Sequence, residues 1–270
     1  MPQRPGIAPG RTPRIRSPPE HIEEAEEIAM EHPVIIYNIR GPNGSGKSTL
    51  ARSLIAGDPT AEPNRPGVPG SPTVVDLTWF DSPTKKDPAR RRSVEGYVTK
   101  ADDLEAIVVG SYRTACGGLD ATPNFATGFA ALNGAVDLLE QHGSHTHRAV
   151  VAEGVISSTV WGSWGEYADE VMDADRAVFA FVYLIPPLEV CLERIRERQR
   201  AAGGEKPIKE ELVADKIKAV KATREKALAS RHIVYDLPAE LPAKEVAFGL
   251  RQIISAGRWG HALAREHFRA

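Results

Sequence analysis

The sequence predicts a three-layer α/β fold, a parallel sheet with helices on both faces. Three observations predict it. Short runs rich in β-branched and apolar residues recur at 34–39, 73–79, 93–99, 106–110, 148–152, 177–185 and 233–237. Segments with apolar residues at helical spacing alternate with many of these runs. Several runs are apolar throughout rather than alternating, the pattern of strands covered on both faces.

The first run, Val34-Ile35-Ile36-Tyr37-Asn38-Ile39, reads as a buried strand. It feeds Gly41-Pro42-Asn43-Gly44-Ser45-Gly46-Lys47-Ser48-Thr49, which matches G-x-x-x-x-G-K-[ST] at every fixed position, and 50–55 continues as a helix. Strand, glycine loop and helix together give this motif, the P-loop, its physical meaning. The glycines let successive N–H groups of the loop, from Gly41 through Asn43, Gly44, Ser45 and Gly46 to Thr49, converge on phosphate oxygens, and the helix N-terminus adds its positive end. Lys47 is expected to reach the β- and γ-phosphates and Ser48 to enter a Mg²⁺ shell. ATP and Mg²⁺ are therefore the expected cofactors.

The remaining elements follow in order. Residues 57–72, dense in Gly and Pro, read as a loop, and 73–79 as a strand. Residues 81–92 are polar and carry Lys85, Lys86, Arg90, Arg91 and Arg92. Two strands follow. Phe129, Leu132, Val136 and Leu139 then mark a helix over 125–142, and the apolar run 148–152 closes on Glu153-Gly154. After the strand 177–185 comes Pro186-Pro187, then a helix with Leu188, Cys191, Leu192 and Ile195 on one face. Residues 201–207 break it, and 208–230 resumes as a long charged helix. A closing strand at 233–237 and a helix at 244–256, with Val246, Leu250, Ile253 and Ile254 facing inward, complete the domain.

Residues 1–19 hold Arg4, Arg11, Arg14 and Arg16 with little to bury, and read as a disordered basic arm, either a phosphate tether or a solubilising tail. Residues 20–31 read as a short acidic helix. The domain is thus expected over 20–256, with a mobile lid at about 194–210 and a tail at 257–270.

Composition bounds the function. Of 270 residues, 41% are hydrophobic and 26% charged, which suits a globular α/β domain, and a net charge of -2 does not announce a nucleic-acid binder. Local charge differs: residues 192–231 carry twelve Lys/Arg against seven Asp/Glu, a surplus that could face a phosphate chain. Cys116 and Cys191 point to a reducing compartment rather than a disulfide framework. The longest apolar run, 177–185, is too short to span a bilayer. The expectation is a cytoplasmic protein whose oligomeric state the sequence leaves open. His142, His145 and His147 have no nearby cysteine or carboxylate to complete a metal shell and read as a surface loop.

Transport and chromosome-maintenance ATPases share the loop wording but also need a Leu-Ser-Gly-Gly signature and a strand ending in Asp-Glu. Here Gly117-Gly118 follows Ala115-Cys116, and the strand at 148–152 ends in Glu153-Gly154. A single acid followed by glycine resembles the small-molecule and nucleotide kinases of the P-loop class, and Glu153 takes the water-mediated Mg²⁺ role. The segment from Leu188 to Arg200 looks like the lid helix of nucleoside and nucleotide kinases. Arginines suit that place because phosphoryl transfer spreads charge over the equatorial oxygens. Arg194 and Arg198 share a face by i,i+4 spacing and are assigned to the transferring phosphoryl group. Arg198 and Arg200 lie nearest the break and Arg200 is assigned to ATP binding, with a solvated face paired to Glu193 and Glu197 as the alternative.

Three pieces narrow the resemblance: 35–52, the segment Gly110-Ser111-Tyr112-Arg113-Thr114-Ala115-Cys116-Gly117-Gly118-Leu119-Asp120, and Val150-Val151-Ala152-Glu153-Gly154. The middle pattern, G-x-Y-x-x-x-x-G-G-x-D, resembles the bacteriophage P-loop kinases that phosphorylate 5-hydroxymethyluracil within DNA, over roughly 34–240. The resemblance implies ATP, Mg²⁺ and a DNA partner carrying a modified pyrimidine. An alcohol acceptor wants a carboxylate to orient it and take its proton. Asp120 is assigned to acceptor binding or general base, with Glu153 the alternative base and a turn cap on 122–124 the structural alternative. Tyr112 and Arg113 are assigned to stacking on or bonding a base edge, with Gly117 and Gly118 allowing close approach. The cluster at 85–92, the basic arm and the Trp161-Gly162-Ser163-Trp164-Gly165 turn are candidate DNA contacts, with packing of a loop over the sheet the equal alternative for the two tryptophans. Two other functions compete: a free deoxynucleoside or nucleotide kinase, and a DNA-stimulated ATPase.

Overall fold

A computed structural model describes residues 34–56, 73–101, 104–112, 118–142, 147–204 and 206–256. The basic arm, the acidic helix, the 57–72 loop and the 257–270 tail lie outside the described residues, as do Arg113, Cys116, Gly117 and His145.

In chain order the elements are β1 (Val34–Arg40), α1 (Lys47–Ala56), β2 (Thr73–Asp81), β3 (Arg91–Ala101), β4 (Leu104–Val109), a 3-10 turn (Gly118–Ala121), α2 (Phe125–His142), β5 (His147–Glu153), α3 (Val155–Thr159), α4 (Gly162–Asp173), β6 (Val178–Leu184), α5 (Leu188–Ala201), α6 (Glu210–Leu228), β7 (Ile233–Leu237) and α7 (Ala243–Ala256). The seven strands form one sheet in the order β2-β3-β4-β5-β1-β6-β7. It is a mixed sheet, which corrects the expectation of a parallel one. β3 pairs antiparallel with both β2 and β4, whereas β4, β5, β1, β6 and β7 pair in parallel. Only two residues separate β3 from β4, too few for the crossover that a parallel pair requires.

Side chains alternate between two cores. Ile35, Tyr37, Ile39, Val151 and Val182 face α1 and α7, where Leu50, Leu54, Val246, Leu250 and Ile253 cover them. Ile36, Ile107, Val150, Phe179 and Phe181 face the opposite layer, meeting Leu132, Val136 and Leu139 of α2, Trp164 and Val171 of α4, and Val220 of α6. β1 and β6 are buried along their whole length, which is why they read as unbroken apolar runs. A third cluster, Cys191, Leu192 and Ile195 with Val213 and Ile217, joins α5 to α6.

The expected Trp161–Gly165 turn is instead the entry to α4. Trp164 is 1% exposed, packed edge-on to Phe129 with centroids 4.9 Å apart, so it offers no stacking shelf. Among the described residues no helix is long and apolar enough to cross a membrane.

Candidate active site

The C-terminal ends of β1, β4, β5 and β6 lie along one sheet edge, because all four run the same way. β1 and β5 are neighbours with Ile39 opposite Glu153, so the loop after Arg40 and the corner after Glu153 emerge side by side. Crevices of this kind, outside the carboxyl ends of parallel strands, are where open α/β sheets bind ligands.

The glycine loop is held from several directions. The Gly41 N–H donates to Ser158 Oγ at 3.0 Å, and Ser45 N donates to the Pro42 carbonyl at 3.3 Å. Lys47, 4% exposed, turns its ammonium back into the loop and donates to the carbonyls of Gly41 at 2.7 Å and Pro42 at 3.0 Å. Gly44 sits at φ 80, and a Cβ there would lie 2.4 Å from the Cys191 carbonyl oxygen. Only glycine lets the first turn of α5 press this closely on the loop. Just upstream, the Arg40 guanidinium is buried 4.6 Å over the Phe181 ring and donates to Asn38 Oδ1 at 2.7 Å. Burial lowers its pKa to about 10.

Glu153 is the buried acid of the site, 2% exposed. The Ser48 hydroxyl donates to its Oε1 at 3.0 Å. Burial pushes its carboxyl up to about 7, against the opposing pull of Lys47. Burial likewise lowers the Lys47 ammonium, with Glu153 opposing. Gly118, at φ 67, rests against Glu153: a Cβ there would meet the Glu153 carbonyl oxygen at 2.3 Å. This contact accounts for the second glycine of the Gly-Gly-x-Asp segment.

Asp120 follows on the same 3-10 turn. Its Oδ2 accepts from Val155 N at 2.6 Å and its Oδ1 from Ile156 N at 3.0 Å. It therefore caps α3, the helix after Glu153-Gly154, and not the 122–124 segment. Asn124 serves the next helix instead, its Oδ1 accepting from Thr127 N at 2.8 Å.

These groups share a cavity of about 640 Å³. Asn43, Gly44, Ser45, Gly46, Lys47, Ser48 and Thr49 floor it, with Asp120 and Glu153 on one wall. Arg52, Arg194 and Arg198 supply cations, and Leu184, Ala239, Leu241 and Val246, which belong to one apolar cluster, supply apolar lining. Arg194 donates to the Ser45 carbonyl at 3.3 Å, while Arg198, one turn further along α5, is exposed. Arg200 departs from expectation. It lines a separate cavity with Arg196, Gln199 and Lys206, because two residues of helix rotate it about 200° from Arg198. Tyr112 departs too. It is 1% exposed, edge-on to Tyr97 at 5.9 Å, and leaves no ring face open to a base.

Two contributors were not foreseen. Arg52, one turn after Ser48, lines the cavity and donates to the Tyr112 carbonyl at 3.4 Å; its i,i+4 spacing from Ser48 was the available signal. Ser158 supports Gly41 from 117 residues away and also bonds the Gly154 carbonyl, a link with no mark in the sequence. Thr223 of α6 in turn donates to the Ser158 carbonyl at 3.0 Å, so the long helix braces the same corner.

An α/β fold with a glycine loop entering a helix, a buried acid on the neighbouring strand and arginines across the cavity has the architecture of a kinase-like phosphotransferase. No family model matches the chain. It is 34% identical over 209 residues to the 5-hmdU DNA kinase of Pseudomonas phage M6, covering 77% of this chain and 94% of that protein. It is 26% identical over 173 residues to the 5-hmdU DNA kinase of Pseudomonas phage PaMx11, covering 64% of this chain and 73% of that one. A solved structure of deoxyadenosine kinase from M. mycoides overlays with a TM-score of 0.38 at 13% identity, covering 82% of this chain and 98% of that one. The chain belongs to the family of the phage 5-hmdU DNA kinases.

Proposed function

We propose that the protein transfers the γ-phosphoryl group of ATP, with Mg²⁺, to the 5-hydroxymethyl group of hydroxymethyluracil in DNA. The observation that carries this reading is the convergence of Lys47, Ser48, Glu153 and Asp120 on one cavity in a chain of this family. The glycine-loop amides would hold the β- and γ-phosphates, and the Lys47 ammonium would exchange the Gly41 and Pro42 carbonyls for phosphate oxygens. The apolar lining formed by Leu184, Ala239, Leu241 and Val246 suits a purine ring.

Ser48 and Glu153 fit a magnesium ion. Both present oxygen donors, and burial, which raises the Glu153 carboxyl to about 7 against the pull of Lys47, leaves its anion short of the solvation that a cation would replace. The ion would take its remaining ligands from phosphate and water. Bound there, Mg²⁺ supplies neutralisation of charge on the phosphate oxygens.

In the transfer, the acceptor oxygen forms its bond to the γ-phosphorus as the β–γ bridging bond breaks, and ADP leaves. Asp120 orients the hydroxyl and takes its proton; a carboxylate bound to two amides keeps acceptor positions for a third partner. Arg194 and Arg198 stabilise the charge on the moving group. The target nucleotide must leave the base stack to reach this edge.

The test offers ATP radiolabelled at its γ-phosphate to duplexes containing hydroxymethyluracil, to thymine duplexes and to free hydroxymethyldeoxyuridine. Label confined to the hydroxymethyluracil duplex supports the reading. Label on the free nucleoside alone assigns a small-acceptor kinase, and phosphate release with no labelled acceptor assigns an ATPase.

A further inference from the structure

The β2–β3 ribbon reaches past the sheet on the edge that holds the glycine loop. β4 ends at Val109 opposite Gly96, and the Gly110 N–H bond to the Glu95 carbonyl, at 2.8 Å, follows directly. Beyond that point, among the described strands, Arg91–Val94 pairs with the end of β2 alone, with Asp81 opposite Arg91, Trp79 opposite Ser93 and Thr78 opposite Val94. At about 3.4 Å per residue this overhang is roughly 15 Å long. Its root lies close to the site. A Cβ on Gly110 would sit 2.4 Å from Gly118 Cα, and Gly118 itself rests on Glu153.

The ribbon differs in character from the rest of the chain. From Asp76 to Glu95 there are five basic side chains, Lys85, Lys86, Arg90, Arg91 and Arg92, against Asp76, Asp81, Asp87 and Glu95. The basic residues fall at 85–92, where Asp87 is the one acid, in a chain whose net charge is -2. All five are exposed. The tip is ordered by its own bonds, Ser82 N to the Arg90 carbonyl at 2.8 Å and Asp87 N to Thr84 Oγ1 at 3.0 Å. Trp79 stands on the overhang at 53% exposure, while its neighbours Leu77 and Phe80 pack toward the core. Trp79 thus holds about half of its surface in solvent beside a basic tip.

We propose that this ribbon is the arm that docks duplex DNA against the catalytic edge, a proposal that rests on the reading of the acceptor as DNA. Lys85, Lys86 and Arg90 at the tip take phosphates of the duplex, and Trp79 contacts bases or sugars flanking the extruded nucleotide. A two-stranded ribbon fits the major groove, about 12 Å wide, and a basic tip with an aromatic flank matches a phosphate chain with bases beside it.

The test measures binding of a fluorescently labelled hydroxymethyluracil duplex, about two helical turns long, by anisotropy with the full chain. The triple variant Lys85→Ser, Lys86→Ser, Arg90→Ser is expected to raise Kd about tenfold or more and to lower the slope of log affinity against log salt by roughly 2–3. Trp79→Ala is expected to raise Kd about fivefold or more with the salt slope unchanged. Matching melting temperatures exclude misfolding of the variants. The proposal is overturned if the wild type does not bind the duplex, if both variants bind as tightly as the wild type, or if the substitutions change only self-association in sedimentation. Failure of the wild type to phosphorylate the same duplex removes the acceptor reading and leaves the binding result to decide the ribbon.

Discussion

The Ser48 hydroxyl donates to Glu153 Oε1 at 3.0 Å, joining the first turn of α1 to the end of β5 across 105 residues of chain. The bond exists because β1 and β5 are parallel neighbours in register, so the residues just beyond them meet over the same edge. It puts a hydroxyl and a buried carboxyl in direct contact beside the glycine loop, at the edge where the proposed function places the ion.

Glu153→Gln keeps a hydrogen-bonding partner for Ser48 but removes the negative charge. The expected result is a loss of phosphoryl transfer of roughly 10²–10³-fold with a raised requirement for Mg²⁺. Steady-state kinetics over a magnesium titration checks it, and unchanged kinetics would remove Glu153 from the ion's surroundings.

Lys47→Ala deletes an ammonium bonded to the Gly41 and Pro42 carbonyls. Transfer is expected to fall by about 10³-fold or more, since the charge at the β- and γ-phosphates goes with it. Leaving those carbonyls without their donor should also cost about 1–3 kcal/mol of stability. Kinetics and urea unfolding measure the two effects separately.

Asp120 allows capping and chemistry to be told apart. Asp120→Asn can still accept one amide bond from α3 but cannot take a proton. The expected outcome is transfer lowered about 10²–10⁴-fold, with ATP affinity within a few fold of wild type and a melting temperature close to it. Wild-type turnover by this variant would reduce Asp120 to a cap.

His232, which does not line the cavity, predicts an acid sensitivity of its own. It is buried against Phe181, with ring centroids 5.4 Å apart, and its Nδ1 lies 3.3 Å from Met172 Sδ. Burial lowers its pKa to about 4, outweighing the opposing pull of Asp169. The unfolded chain takes up this proton near the ordinary 6.5 and the folded chain only near 4. Its contribution is therefore complete above about 6.5 and is lost as pH falls toward 4, amounting to about 3 kcal/mol. His232→Phe should flatten that part of the stability profile in chemical unfolding series; an unchanged profile would show that His232 does not cause it.

Much of the fold was legible because burial on both faces writes unbroken apolar runs, as in β1 and β6. The direction of β3 was less so: its residues read as strand, but orientation depends on the brevity of the connections around it. The glycine loop was legible because its spacing is its chemistry. Asp120 shows the limit, since the helix it caps begins 35 residues later and no local pattern joins the two. Trp164 shows another, for a tryptophan among glycines looks exposed until the sheet behind it is known. Arg200 is assigned to ATP on its place near the break alone, and helical rotation carries it to a different cavity from Arg198.

The measurement that bears most directly on the account is mass spectrometry of nucleosides digested from hydroxymethyluracil DNA after incubation with the protein, ATP and Mg²⁺. The account predicts one new species, hydroxymethyldeoxyuridine bearing a single phosphate ester on its hydroxymethyl oxygen, absent when ATP is omitted. Recovery of unmodified hydroxymethyldeoxyuridine alone, from DNA incubated with folded and ATP-binding protein, would contradict it.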